Sequence, residues 1–243
     1  MEILIFGDVH GREDWIKIVE LYDISKLDKI IFVGDYVDSY IHRPVEIIHN
    51  LKKIIDFKLA HLDKVELLLG NHDWAYIHDM SGIKGFNWHA RIDYKAIFEE
   101  HKNLFKIAWG YTNLNTQKYT LVTHAGLTLT YYNNYILNPT KDDTSILYKL
   151  TNGDISKYEI HELLNFMINH EIIYKIGAGR RGMGTPGPLW ADYNELIKDP
   201  YPNINQVFGH TAPGTVKLFQ IDDNFLIKVD NNRKQIATIT LDI

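Results

Sequence analysis

Short apolar runs recur along this chain, and each stops at a Gly or Thr followed at once by polar, ion-binding types of residue. They are Ile-Leu-Ile-Phe before Gly-Asp-Val-His-Gly from Ile3, Lys-Ile-Ile-Phe-Val before Gly-Asp-Tyr from Lys29, and Val-Glu-Leu-Leu-Leu before Gly-Asn-His-Asp from Val65. Tyr-Thr-Leu-Val before Thr-His-Ala-Gly from Tyr119 and Gln-Val-Phe before Gly-His-Thr from Gln206 complete the set. Runs of this length and continuity predict buried strands that end abruptly in loops. Helical periodicity over roughly Asp14 to Ile24 and Pro44 to Phe57 separates the early runs, so the first third alternates strand and helix and predicts a parallel sheet. In open α/β sheets ligands gather beyond the carboxyl ends of the strands, where all five polar clusters fall. The clusters are therefore expected to converge.

Further along, Ile160, Leu163, Leu164, Met167, Ile168 and Ile172 recur at three- and four-residue spacings and predict a helix over 155–176. Gly177 to Pro188, with five glycines and two prolines, predicts a long, mobile loop. Short β-like runs follow at Val216 to Ile221, Phe225 to Val229 and Ile236 to Leu241. No repeat of 20 to 50 residues is visible in the sequence.

A length of 243 residues suits one domain spanning residues 1–243. At 45% hydrophobic, 12% aromatic and 23% charged residues, the composition is that of an ordinary globular protein and excludes general disorder. The net charge of -5 argues against a broad nucleic-acid footprint and against a polybasic membrane anchor. The opening apolar run is too short and too acidic for a signal peptide, and no run is long enough to span a membrane, so a cytoplasmic location is expected. There is no cysteine, which removes disulfides, thiolate metal sites and cysteine nucleophiles together.

The candidate chemistry follows from the polar clusters. Asp8 and His10 are two apart, and in an extended strand end such residues project to one side, supplying two ligands to one ion. Asp35 has two carboxylate oxygens and can bridge two cations, Asn71 offers an amide carbonyl, and His124 and His210 offer imidazole nitrogens. Oxygen and nitrogen donors without sulfur suit Mn, Fe, Zn or Mg. Two such ions about 4 Å apart activate a bridging water and clamp the attacking and leaving oxygens of an in-line displacement at phosphorus. His72 and Asp38 lie in the same loops, and a histidine oriented by a carboxylate can protonate a leaving alkoxide. Trp74 and Trp190, beside the motifs, are read as packing residues.

In order and spacing, GDVHG, GDYVDS, GNHD, THAG and GHT resemble the five motifs of the calcineurin-like metallophosphoesterase superfamily, in the branch of serine/threonine protein phosphatases and symmetrical diadenosine tetraphosphatases. The resemblance implies a four-layer α/β/β/α sandwich of two mixed sheets flanked by helices. It implies one ion on Asp8, His10 and Asp35, a second on Asp35, Asn71, His124 and His210, and a proton-donor dyad of Asp38 and His72. The expected activity is phosphomonoester hydrolysis with two divalent ions, Mn²⁺ foremost, acting on a phosphorylated protein, nucleotide or small molecule. Hydrolysis of nucleotides or dinucleoside polyphosphates is the alternative, and a non-catalytic scaffold is a third reading. One departure stands out: the branch usually has an arginine after the dyad aspartate to grip phosphate, and here that residue is Ser39. Arg180 and Arg181 in the glycine-rich segment, or Arg43 before Pro44, are the candidate replacements.

Overall fold

The computed structural model describes residues 1–139, 145–211, 216–229 and 236–242. Contacts divide the chain into two compact units, one formed by Met1–Lys106 with the stretch from Val229 onward, the other by Ile107–Thr211 with Lys217–Lys228.

The first unit is built on β1 (Glu2–Phe6), β2 (Lys29–Phe32), β3 (Val65–Leu68), β4 (Phe105–Lys106) and β10 (Thr238–Asp242), in the order β10-β1-β2-β3-β4. Strands β1 to β4 run parallel and β10 lies antiparallel on β1, so the sheet is mixed. Ile3 to Phe6 and Ile30 to Phe32 are fully buried, the mark of parallel strands covered on both faces. Helices α1 (Asp14–Val19), α2 (Pro44–Ala60), α3 (Asn71–Ile77) and α4 (Arg91–Glu100) belong to this unit. α1 is shorter than the periodicity predicts, because Asp23 Oδ1 accepts from both the amide and the hydroxyl of Ser25 and so closes a turn that competes with the helix. α2 opens with Pro44 in its first turn, while Glu46 accepts the Arg43 amide, and it buries the stripe Ile47, Leu51, Ile54 and Ile55.

The second unit contains β5 (Ala108–Thr112), β6 (Tyr119–Thr123), β7 (Ile204–Phe208), β8 (Lys217–Ile221) and β9 (Asn224–Lys228), ordered β5-β6-β7-β9-β8. β6, β7 and β9 are parallel, with β5 and β8 as antiparallel edges. Its helices are α5 (Leu129–Tyr131), which runs into a π-helical stretch over Tyr132–Leu137, then α6 (Ile146–Thr151), α7 (Ile160–Phe166) and α8 (Tyr193–Leu196). Leu196 of α8 packs with Phe208 and Leu226.

The helix expected over 155–176 is instead three pieces: a 3₁₀ turn at Ile155–Lys157, α7, and a 3₁₀ turn at Glu171–Tyr174. Glu159 and Glu162 form a capping box that starts α7 afresh, and His170 Nδ1 accepts from the Ile172 amide to start the last turn. The apolar spacing survives because Leu163 and Leu164 still face the core. Two mixed sheets flanked by helices make this an α/β fold. Among the described residues no helix is long and apolar enough to cross a membrane.

Candidate metal centre

Because β1, β2 and β3 are parallel, the loops that follow them leave the sheet at one edge. The first two loops are joined through the backbone: the His10 amide donates to the Asp35 carbonyl at 2.6 Å and the Gly11 amide to the Tyr36 carbonyl at 3.1 Å. The result is a cluster of Asp8, His10 and Asp35 whose potential ligand atoms lie within 4.8 Å of one another. His10 Nδ1 is bonded to the main-chain carbonyls of Asp38 (2.8 Å) and Val37 (3.1 Å), so the proton sits on Nδ1 and Nε2 is turned toward Asp35 Oδ2 at 3.6 Å. Burial lowers the His10 pKa against the pull of Asp35, which keeps the imidazole neutral, as a ligand must be.

Local backbone strain accompanies this arrangement. His10 (φ 46°), Asp35 (φ 52°) and Asp38 (φ 58°) all occupy the left-handed region, which non-glycine residues enter at a cost of about 1 to 3 kcal/mol each. Gly34 (φ 110°) and Gly70 make the close approach feasible. A Cβ on Gly34 would strike the Gly70 amide, and one on Gly70 would strike the Asp35 carboxylate.

Asn71 is the first residue of α3 and is buried. His72 follows it, its amide donating to Asp35 Oδ1 at 3.0 Å and its Nδ1 lying 2.7 Å from Asp38 Oδ2. Burial alone would lower the His72 pKa, but the charge of Asp35 and the hydrogen bond to Asp38 outweigh it and raise the value to about 9. Sequence reasoning assigned no role to Asp73. Its carboxylate is fully buried and accepts from the amides of Tyr36 (2.9 Å), Val37 (3.3 Å) and Gly70 (2.9 Å), tying the Asp35 loop to the start of α3. Burial, with the charge of Asp35, pushes this carboxyl up to about 8, while the donated amides pull the other way. The signal was present in the sequence as the last residue of GNHD, but it reads as an ordinary first-turn acid until the amides are seen.

The second unit brings two more of the named residues together. His124 follows β6 and His210 follows its parallel neighbour β7; His124 Nε2 and His210 Nδ1 are 3.2 Å apart, and the Gly209 amide donates to the His124 carbonyl at 2.8 Å. His210 is also left-handed (φ 67°), with the Trp190 ring edge-on at 5.4 Å. Trp74 is buried and stacks on His78, as a packing residue would.

The three candidate arginines separate sharply. Arg180 Nε is paired with Asp192 Oδ2 at 3.1 Å, and its Nη2 donates to Thr211 Oγ1 at 3.2 Å, next to His210. Arg181 is exposed, and Arg43, also exposed, is spent on Glu46 at 2.7 Å. The loop expected over 177–188 is tied down: it contains a 3₁₀ turn at Ala178–Arg180, the Gly179 amide donates to Glu195 Oε1, and the Gly187 amide donates to the Lys175 carbonyl. Ser39 Oγ accepts the amides of Ile41 and His42, each at 3.2 Å, which commits it to a turn.

Carboxylates, a neutral imidazole and no thiolate form a donor set suited to a hard or borderline divalent cation, and alongside stands an Asp–His pair of the kind that can donate a proton. That combination on an α/β fold is one that metal-dependent hydrolases use. Residues 1–214 match the calcineurin-like phosphoesterases, and the chain belongs to this family of hydrolases. A probable serine/threonine-protein phosphatase of Encephalitozoon cuniculi is 28% identical over 132 residues, 52% of this chain and 26% of that protein. Serine/threonine-protein phosphatase BSL2 of Arabidopsis thaliana is 32% identical over 90 residues, 34% of this chain and 8% of that protein. The matched stretches thus span about a quarter or less of those relatives. A crystal structure of a mutant cold-active protein tyrosine phosphatase shares the fold with a TM-score of 0.50 at 15% identity, covering 93% of this chain and 70% of that one.

Proposed function

We propose that the protein hydrolyses phosphomonoesters at a site with two divalent ions, and that residues 1–243 act as one catalytic domain. The observation that carries this reading is the Asp38–His72 pair standing beside the Asp8, His10 and Asp35 donors in the first unit. Asp8, His10 and Asp35 would hold one ion; Asp35, Asn71, His124 and His210 would hold the other. Such ions supply an acidified water and positive charge for the phosphoryl oxygens, and Mn²⁺ fits the oxygen and imidazole donors.

The residues of the chain do the rest. His72 is fixed by Asp38 through Nδ1, which leaves Nε2 to give a proton to the departing alkoxide. Arg180, held in place by Asp192 and Thr211, grips the outward phosphate oxygens. Phosphoserine or phosphothreonine in proteins is the favoured substrate class, supported by what the two matched phosphatases are named for. Hydrolysis of nucleotides or dinucleoside polyphosphates at the same site is the second reading, since the motifs resemble both the protein phosphatases and the diadenosine tetraphosphatases.

The test is to assay purified, metal-stripped protein on an aryl phosphate with and without added Mn²⁺, then on a phosphopeptide and on diadenosine tetraphosphate. Mn²⁺-dependent release of phosphate from the aryl ester is expected. A metal-loaded protein inert toward all three would favour a scaffold and overturn the proposal.

A further inference from the structure

α3 places two residues of one helical face against a single carboxylate. His72 and Tyr76 are four apart, so they stack on the same side of the helix, and both reach Asp38. His72 Nδ1 lies 2.7 Å from Oδ2 and the Tyr76 hydroxyl donates to Oδ1 at 2.5 Å. The same hydroxyl accepts the Asn87 amide at 2.5 Å. Tyr76 is fully buried, its ring stacked on Phe86 (4.3 Å, 9°) and edge-on to Tyr94 (5.0 Å, 87°), so the hydroxyl has little freedom to leave this position. Asn87 is itself held, its side-chain oxygen accepting the amides of His89 and Ala90.

A carboxylate in a strained left-handed backbone, gripped on only one oxygen, can rotate about its Cβ–Cγ bond and lose its histidine. Gripped on both oxygens, it cannot. A charge-assisted bond of 2.5 Å on Oδ1 fixes the plane of the carboxylate, and Oδ2 is then aimed at His72. Burial and the charge of Asp38 hold the phenol far above its usual titration range, so it remains a donor throughout.

We propose that Tyr76 is a positioning residue for the Asp38–His72 proton donor, locking the carboxylate so that His72 keeps the orientation in which it protonates the leaving group. The inference rests on the phosphoesterase reading above and extends it from a dyad to a three-residue relay braced by the Asn87 amide. Its consequence is specific: Tyr76 matters in proportion to how much the leaving group needs a proton.

The test compares the parent with Tyr76→Phe, which keeps the ring stack and removes only the hydroxyl. On an alkyl phosphate, whose alkoxide must be protonated, kcat should fall about ten- to a hundredfold, as expected for loss of one hydrogen bond to a charged group. On 4-nitrophenyl phosphate it should fall less than about threefold, with KM and metal content unchanged on both. In a His72→Asn background, Tyr76→Phe should add nothing. Equal losses on the two substrates, or a full further loss in the His72→Asn background, would overturn the proposal. An inactive parent would instead overturn the phosphoesterase reading, and the relay would then be decided by the NMR resonance of the His72 Nδ1 proton. That resonance moves on Tyr76→Phe if the relay exists; an unmoved resonance, or a Tyr76→Phe protein that fails to fold while Tyr76→Leu folds with its His72 resonance intact, refutes it.

Discussion

The Nδ1 proton of His10 is donated to the main-chain carbonyl of Asp38, 2.8 Å away, so a candidate metal ligand and the backbone of the residue that holds His72 share one hydrogen bond. The carbonyl of Asp38 fixes the His10 tautomer while its carboxylate fixes His72. One left-handed residue therefore orients two imidazoles, and their rings meet edge-on at 5.3 Å. Ligand binding and proton donation should separate by mutation only at the side chains, not at the loop.

The first expectation concerns metal content. Two unit negative charges about 4 Å apart repel by roughly 4 kcal/mol at an effective dielectric near 20, so the buried Asp8 and Asp35 favour a bound cation. Chelation should lower Tm and abolish activity, with Mn²⁺ restoring both. Asp35→Asn should lose more metal than His72→Asn, which keeps its metal and loses about 10² to 10⁴ in turnover. Metal analysis by mass spectrometry alongside kcat decides it: a His72→Asn protein depleted of metal, with normal turnover in the fraction that stays loaded, would reverse the roles.

Asp73 yields a second expectation. Its carboxylate takes three backbone amides, so Asp73→Ala strands buried donors at a cost of about 1 to 3 kcal/mol each and frees the Asp35 loop. Asp73→Ala should therefore lower both Tm and metal affinity. Asp73→Asn, which keeps one acceptor oxygen, should lose less. Calorimetry with metal titration would contradict this if Asp73→Ala bound metal as tightly as the parent.

The readable parts of this molecule were those set by continuous apolar runs. β1, β2, β3, β6 and β7 were all legible because each ends in a short buried apolar run with ligand-type residues directly after it, even though Glu66, Thr120, Asn205 and Gln206 interrupt three of them. β5 was missed: Gly110 interrupts it, and its last three residues are only half-buried. α4 was missed because its buried positions reduce to Tyr94, Ile97 and Phe98 among charged residues. The grip of Tyr76 on Asp38 joins residues 38 apart in sequence, and a tyrosine in a helix reads as core until its hydroxyl is located. The arginine pair was legible as a pair, but its division into a braced Arg180 and an exposed Arg181 depends on Asp192 and Thr211, which no spacing rule connects to it.

Stability toward acid gives a third expectation. Glu66 on β3 is buried among Lys106 (2.9 Å), Lys29 (3.2 Å) and Lys58 (3.9 Å). Burial pushes its carboxyl up, but the three ammonium groups outweigh that and hold it below its ordinary value of 4.5. A folded-state pKa lower than the unfolded one means that the stabilisation is complete above about pH 4.5 and is lost as pH falls through the lowered value. Glu66→Gln should cost about 1 to 3 kcal/mol at neutral pH, because the near-buried Lys58 and the half-buried Lys29 lose a charged partner, while Lys106 stays largely in water. The difference in Tm between the two proteins should shrink toward zero in acid, where the parent Glu66 is itself neutral. A gap that stays constant from pH 7 down to pH 3 would contradict the assignment.

The last expectation concerns the phosphate clamp left open by Ser39, whose hydroxyl is already committed to the amides of Ile41 and His42. A phosphate dianion near two cations still has outward oxygens, and a planar guanidinium meets them with two parallel hydrogen bonds that an ammonium cannot reproduce. Of the three candidates, Arg43 is tied to Glu46 at a helix start and Arg181 is exposed, whereas Arg180 is half-buried, braced by Asp192 and Thr211 and adjacent to His210. Bracing lowers the entropy lost on gripping a ligand, so the rigid arginine is the better clamp. Arg180→Ala should lower kcat/KM by about one to two decades, from the roughly 1.5 to 3 kcal/mol of a hydrogen bond to a charged group. Arg180→Lys should recover little of that loss, and Asp192→Asn should show an intermediate loss because the guanidinium keeps Thr211 but loses its ion pair. Arg181→Ala and Arg43→Ala should stay within about twofold of the parent, since neither guanidinium is held where His210 is. Steady-state kinetics on one phosphomonoester with all five variants settles the matter. A parent-like Arg180→Ala together with an impaired Arg43→Ala would move the clamp to the start of α2 and leave the Arg180–Asp192 pair a purely structural contact.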